Sequence, residues 1–400
     1  MEKNEQQLPR LGEPVPAFEA MTTRGKISFP ADYKGKWVIL FSHPADFTPI
    51  CTSEVLTFGA RTAEFRALNC ELIGLSVDSR NSHIAWLRTI REKIEYRGMK
   101  DIKVEFPIID DVSMKVANLY GMIQPGESQT AAVRAVFFVD PEGKLRAMIY
   151  YPLAALLQAG IRDILIIIPP GEEGPFYRLL GSGGRFGVNI TYEVQEVARG
   201  IADALLIGSQ FIGDDSVCLV LGDNIFYSPN FQDCLDRAVQ QKSGACVFGY
   251  YVDDPRAFGV VEFDDQGRAI SIEEKPRYPK SNYIIPGLYF YDNSVMEIAR
   301  GLKPSARGEL EITDVNIEYM KRGQLHVEKL DRDFVWLDAG TADNLLESAQ
   351  VVRRVQDETG RYIACPEEIA YARGYISRQT LLRHAEELNK TLYGRYLECL

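Results

Sequence analysis

Short apolar runs alternate with stretches of helical period along the whole chain, and the alternation restarts once, near residue 150. In the first part, KWVILFSH (36–43), ELIGLSVD (71–78), AVFFVD (135–140) and LRAMIYY (145–151) read as strands. Residues 51–68 and HIAWLRTIREK (83–93) carry a helical period. Strand and helix in alternation predict an α/β sandwich. Asp140, Pro141, Glu142 and Gly143 have hairpin chemistry, so one edge of that sheet is expected to be antiparallel. From about 153 the order is helix (LAALLQAG), apolar strand (DILIII), Gly-rich loop, helix (EVARGIADALLIG), then a strand running into polar residues (SVCLVLGDN). This second pattern predicts a doubly wound parallel sheet. Residues 351–400 read as amphipathic helix broken at Gly360 and at Cys365–Pro366. The expected division is therefore 1–152 and 153–400, with no repeat and no Pro/Ser-rich linker.

The chain has 400 residues, 46% hydrophobic and 25% charged, which is globular composition for about two or three domains at roughly 150 residues each. Asp and Glu outnumber Lys and Arg by 56 to 45, and a net charge of -11 disfavours nucleic acid or anionic lipid as a partner. The apolar runs fall short of a membrane span, and MEKNEQQLPR is not a secretory signal, so a soluble cytoplasmic protein is expected. Seven cysteines at scattered positions, with no CxxC, argue against a disulfide framework or a structural zinc site. Any cysteine chemistry then rests on one reactive thiol.

Cys51 is the candidate. Thr48 is suited to cap a helix and Pro49 to open it, which places Cys51 in the first turn. Unpaired backbone N–H groups there favour an anion, and so favour the nucleophilic thiolate. Arg134 is the nearby cation this reading requires; a small buried core cysteine is the plainer alternative. FSHPADFTPICTSE (41–54) resembles the active-site loop of the peroxiredoxins, Pro-x-x-x-Thr-x-x-Cys. The likeness runs from LGEPVPAFEAMTTRGK (11–26) to VRAVFFVDPEGKLRAMIYYP (133–152), closest to the one-cysteine subgroup. The resemblance implies a thioredoxin-like fold and reduction of hydrogen peroxide and alkyl hydroperoxides by an external thiol, with no cofactor. It makes Cys51 the peroxidatic residue, which becomes a sulfenic acid. Thr48 would orient the peroxide, Pro44 shield the sulfenate, and Arg134 stabilise the developing charge. His43 fits a catalytic or a structural role, and Cys70 reads as core.

Asp223 in LVLGDN and Asp338 in FVWLDAGT follow apolar strands, where open α/β sheets place ligands. Two such carboxylates suit Mg²⁺, although from position alone each more readily suits the start of a turn. Seven ordered segments, LLGSGGRFGVNITYEVQ, LGDNIFY, FGVVEFD, IEEKP, SNYIIPGLYFYD, ARGELEITDVN and VWLDAGT, resemble the sugar-phosphate nucleotidyltransferases, glucose-1-phosphate thymidylyltransferases in particular. The resemblance spans about 148–400 and implies a Rossmann-like sheet with a helical C-terminal region. It makes Asp223 and Asp338 the Mg²⁺ ligands. Gln195 and Gly200 would meet the base, Gly259 and Glu274 the sugar hydroxyls, and Lys275 and Arg307 the sugar phosphate. The family opens with a strand and a Gly-Gly-x-Gly-Thr-Arg loop that cradles the triphosphate. No such segment stands before this region. Gly181, Gly183, Gly184 and Arg185 fall where the family has a different loop. The sheet is therefore expected to be opened, and transfer from dTTP to glucose 1-phosphate impaired, leaving a dTDP-sugar or glucose 1-phosphate binding remnant. Homo-oligomerisation is typical of both families.

MIYYPL (148–153) fits both resemblances, so the chain reads as a chimera joined there. Ile149, Tyr150 and Tyr151 favour strand and Pro152 a first helical turn, which predicts strand to about Tyr151 and a frustrated junction.

Overall fold

A computed structural model describes residues 14–67, 69–96, 98–123, 131–132, 135–139, 143, 145–146, 148–170, 173–339, 342–388 and 392–400. The chain divides into two compact units. Residues 1–147 form the first, with 341–350 and 388–392; 148–340, 351–387 and 393–400 form the second.

The first unit is built on β1 (Phe18–Thr22), β2 (Gly25–Phe29), β3 (Trp37–Ser42), β4 (Cys70–Ser76), β5 (Ile108–Asp110), β6 (Val136–Val139) and β7 (Leu145–Arg146). They lie in the order β2-β1-β5-β4-β3-β6-β7. β3, β4 and β5 are parallel at the centre, whereas β6 and β7 form the antiparallel hairpin that the turn chemistry predicted. Asp140, Pro141 and Glu142 of that turn lie outside the described residues.

The central strands are apolar on both sides because both faces are covered. Val38, Leu40, Ile73 and Leu75 face α4 (Lys115–Leu119) through Val116 and Ala117. Ile39, Phe41 and Leu72 face α1 (Pro49–Ala60), α2 (Thr62–Ala67) and α3 (Arg80–Lys93) through Val55, Leu56, Phe65, Trp86 and Ile90. Each such Leu or Ile stabilises the fold by roughly 1.5–3 kcal/mol. This packing fixes the loop between β3 and α1, which carries Cys51.

The second unit begins at the seam, and here the structure corrects the sequence reading. Ile149 to Tyr151 are not strand; α5 spans Tyr150–Gln158. The Tyr151 N–H donates to the Met148 carbonyl at 3.0 Å, and Leu153 to Ile149 at 3.2 Å. Local β propensity loses because Met148 and Tyr151 pack on Ile225, Leu337, Val355 and Ile363. Pro152 is tolerated because first-turn N–H groups have no intrahelical partner.

β8 (Asp163–Ile168), β9 (Asn189–Val194), β10 (Val217–Val220), β11 (Asn224–Tyr227), β12 (Ala245–Tyr251), β13 (Gly259–Phe263), β14 (Ala269–Glu274), β15 (Tyr283–Ile284), β16 (Leu288–Tyr291), β17 (Leu325–Lys329) and β18 (Val335–Asp338) follow. They do not form one parallel sheet. The main sheet runs β10-β16-β12-β15-β13-β14, mostly antiparallel, with β17 parallel to β12; among the described residues β8 pairs only with β9, and β11 only with β18. The fold remains mixed α/β, and β9 and β10 stand in separate sheets among the described residues, in line with the expected opening of the sheet.

Helices α6 (Glu173–Leu180), α7 (Asp203–Ile207), α8 (Ser209–Ile212), α9 (Phe231–Gln240), α10 (Val295–Gly301) and α11 (Ile312–Lys321) accompany the strands. The C-terminal region is helical as read: α12 (Ala342–Thr359) stops before Gly360, whose φ is 66°, and α13 (Pro366–Ala372) opens on its proline after Cys365. α14 (Arg378–Glu387) and α15 (Leu392–Cys399) complete the chain. Among the described residues, no helix is long and apolar enough to cross a membrane.

Candidate functional sites

Thr48 caps α1 by position, and Pro49 opens the helix, so Cys51 occupies the first turn as the sequence predicted. The Thr48 hydroxyl does not cap, however; it donates to the Ala45 carbonyl at 3.0 Å and tightens the loop instead. Cys51 is fully buried in the cluster that includes Val55, Leu56 and Trp86. Pro44 and His43 stand at the other end of the same loop, after β3. Arg134 lies outside the described residues.

His43 and Asp46 are both buried, and the His43 Nε2 lies 3.0 Å from Asp46 Oδ1. Asp46 also faces His83 Nδ1, at 3.0 and 2.9 Å from its two oxygens, and accepts from the Ser82 hydroxyl at 2.8 Å. Burial pushes the Asp46 carboxyl up, but the hydrogen bonds from His43 and His83 outweigh it and hold the group down at about 2. The ligand atoms of His43, Asp46 and His83 lie within 4.8 Å of one another, as a metal site would require. Their hydrogen bonds to each other already use those atoms. The role of Asp46 and His83 escaped sequence reasoning, since 37 residues separate them.

Burial raises the thiols of Cys70 and Cys246 to about 12, and those of Cys218, Cys234 and Cys365 upward as well. Those five are thiols at neutral pH. No two cysteines are joined.

In the second unit, β13 and β14 set Gly259 directly across from Glu274. A Cβ on Gly259 would meet Thr313 Oγ1 at 2.9 Å and Glu274 Oε2 at 3.4 Å, so glycine leaves room beside the carboxylate. Thr313, which the sequence reading missed, donates to Glu274 Oε2 at 2.5 Å. Lys275 Nζ and Arg307 Nη2 lie 3.8 and 3.9 Å from Glu274 Oε1. Gly259, Glu274, Lys275 and Arg307 therefore converge.

Gly200 has φ +106°, and a Cβ there would lie 2.4 Å from the Leu310 carbonyl oxygen. The Leu310 N–H donates to the Arg199 carbonyl at 2.7 Å, so this loop packs on the segment that carries Arg307. Gln195 Nε2 donates to Asp203 Oδ2 at 3.0 Å. Asn224 stands opposite Asp338 across β11 and β18, and the Ala339 N–H donates to the Asp223 carbonyl at 2.9 Å, which brings the two aspartates to one sheet end. Burial raises the Tyr289 hydroxyl, and the negative charges of Glu274 and Asp223 raise it further. Two half-exposed carboxylates are a hard oxygen donor set that fits Mg²⁺ completed by water and phosphate oxygens.

The nucleotidyl transferase family model matches residues 128–354, and the AhpC/TSA family model matches residues 11–148. A glucose-1-phosphate thymidylyltransferase of Mycolicibacterium smegmatis is 52% identical over 252 residues, 63% of this chain and 87% of that protein. One from Mycobacterium tuberculosis is 53% identical over 252 residues, with the same coverage of 63% and 87%. A solved glucose-1-phosphate thymidylyltransferase from Bacillus anthracis, in complex with a sucrose, shares 44% identity with a TM-score of 0.48, covering 52% of this chain and 82% of that one. The two family matches overlap over residues 128–148, the AhpC/TSA match ending where the second compact unit begins, and the chain belongs to the nucleotidyl transferase family, fused behind an AhpC/TSA-family segment.

Proposed function

We propose that the chain is a thiol-dependent peroxidase whose nucleotidyl transferase part is a sugar-phosphate-binding remnant. The single supporting observation for the first is Cys51 in the first turn of α1, behind Thr48 and Pro49, in an AhpC/TSA segment. Cys51 would attack the terminal peroxide oxygen, forming the S–O bond as the O–O bond breaks; water or alcohol leaves, and an external thiol reduces the sulfenic acid. Residues up to 147 would carry this activity and those from 148 the transferase-like part, in a reducing, cytoplasmic setting. The test is hydrogen peroxide consumption with dithiothreitol by the full chain beside Cys51→Ser. Turnover that vanishes in the variant supports the reading, and no turnover from folded wild type overturns it.

A second reading rests on the convergence of Gly259, Glu274, Lys275 and Arg307. Lys275 supplies a point charge and Arg307 a planar fork for a sugar phosphate, while Glu274 accepts from sugar hydroxyls. Asp223 and Asp338 would hold Mg²⁺, which when bound supplies charge neutralisation for phosphate oxygens. Gln195 and Gly200 would border the base. Calorimetry with glucose 1-phosphate and with a dTDP-sugar tests this reading, and absence of heat with both rejects it. Pyrophosphate release from dTTP and glucose 1-phosphate that is lost in Asp223→Asn would establish a working transferase in place of a remnant.

A further inference from the structure

Asp46 is the centre of a buried clasp. Four groups close on it: His43, His83 and the Ser82 hydroxyl donate to its carboxylate, while its own backbone N–H donates to Asp78 Oδ2 at 2.8 Å. Asp78 is itself held by the Ser76 hydroxyl at 2.9 Å. His43, Asp46 and His83 are each less than a tenth exposed.

The donors and acceptors determine where the protons sit. His83 faces the Asp46 carboxylate with Nδ1 and the Ile109 carbonyl with Nε2, at 3.1 Å. Both partners accept only, so both bonds are made only when the ring carries two protons. His43 Nε2 likewise faces a group that only accepts, so the proton of that bond sits on Nε2. The His43 Nδ1, buried without a hydrogen-bond partner among the described residues, carries a lone pair.

α3 grips the Cys51 loop at both ends. Ser82 and His83 hold Asp46, and Trp86 Nε1 donates to the Thr52 hydroxyl at 3.1 Å, next to Cys51. The Trp86 ring also lies 5.0 Å from that of His43.

We propose that Asp46 is a positioning residue for Cys51: as a buried ion pair with His83, it locks His43 in the Nε2–H tautomer and pins the loop from His43 to Thr52 against α3. This rests on Cys51 being the peroxidatic residue.

The test uses the full chain labelled with ¹⁵N-histidine, which has four histidines to resolve. At pH 7, both nitrogens of His83 are expected to resonate as N–H, and His43 to show a protonated Nε2 and a bare Nδ1. A neutral His83, or a His43 protonated at Nδ1, overturns the proposal without any variant. In Asp46→Asn, amides 49–52 are expected to exchange at least 10-fold faster, with the peroxide rate constant reduced at least 10-fold. Ser82→Ala, which keeps the ion pair, is expected to retain the wild-type histidine signature. A wild-type peroxidase whose rate and exchange are unmoved in Asp46→Asn rejects the positioning role alone. A wild type without peroxidase activity rejects the underlying reading instead.

Discussion

Glu311 holds Arg307 at two points: Arg307 Nε and Nη2 donate to Oε1 at 3.1 and 3.0 Å, and Nη2 reaches Oε2 at 2.9 Å. Ser305 adds a bond to Oε1 at 2.7 Å, and Glu311 is buried. The guanidinium fork is thus held in a fixed orientation. Arg307→Lys replaces the fork with a point charge that cannot bridge two oxygens. Glucose 1-phosphate affinity measured by calorimetry is expected to fall at least 10-fold. Folding stability is expected to change by less than about 1 kcal/mol, because Arg307 is substantially exposed.

The low Asp46 carboxyl makes a pH prediction with a definite sign. Its folded value of about 2 lies below the ordinary 3.8, so the ionised form stabilises the fold, fully above pH 3.8. That contribution, about 2 kcal/mol, is lost as pH falls from 3.8 through about 2. Urea midpoints of wild type and Asp46→Asn are expected to differ at pH 7 and to converge toward pH 2.

Gly200 cannot accept a side chain without moving backbone. Its positive φ costs a non-glycine residue about 1–2 kcal/mol, and the added Cβ meets the Leu310 carbonyl. Gly200→Ala is expected to destabilise by about 2–4 kcal/mol in total. It is also expected to weaken dTDP-sugar binding, since residues 199–203 and Leu310 separate together. A melt unchanged within error would contradict this.

Glu367 is the buried anion of the C-terminal helices. It accepts from Arg185 Nε at 3.1 Å and from the Tyr393 hydroxyl at 2.6 Å. Glu367→Leu leaves both donors facing an apolar side chain, at a cost of about 2–4 kcal/mol. Denaturation followed by tyrosine fluorescence is the measurement, and equal stability of variant and wild type would refute the assignment.

Features set by neighbours in the chain were legible in the sequence: the Thr48–Pro49 helix start beneath Cys51, the β6–β7 hairpin, the break at Gly360, and the adjacency of Glu274 and Lys275. Features set by tertiary contact were not. Thr313 reaches Glu274 across 39 residues, and His83 reaches Asp46 across 37. Nothing in the local pattern marks either pair. At the seam, local propensity pointed to strand for Ile149–Tyr151, but packing of Met148 and Tyr151 in the second unit prevailed. The parallel reading of the second half failed for a related reason. An apolar run such as VCLV reports burial on both faces, not the direction of its partner, and β16 lies antiparallel to it.

β10 ends its sheet with one neighbour, β16, and no strand on its other side among the described residues. Val217, Cys218, Leu219 and Val220 carry no charge and no proline, the devices that ordinarily blunt such an edge. The molecule is therefore expected to have an open valence there, an outer ladder on which an extended segment such as one from another copy can pair. Crowding then acts on this protein as a reactant concentration, with self-association rising with protein level and favoured whenever chains are synthesised faster than they disperse. That edge lies three residues before Asp223, so self-association there would also crowd the strand end on which the two aspartates meet.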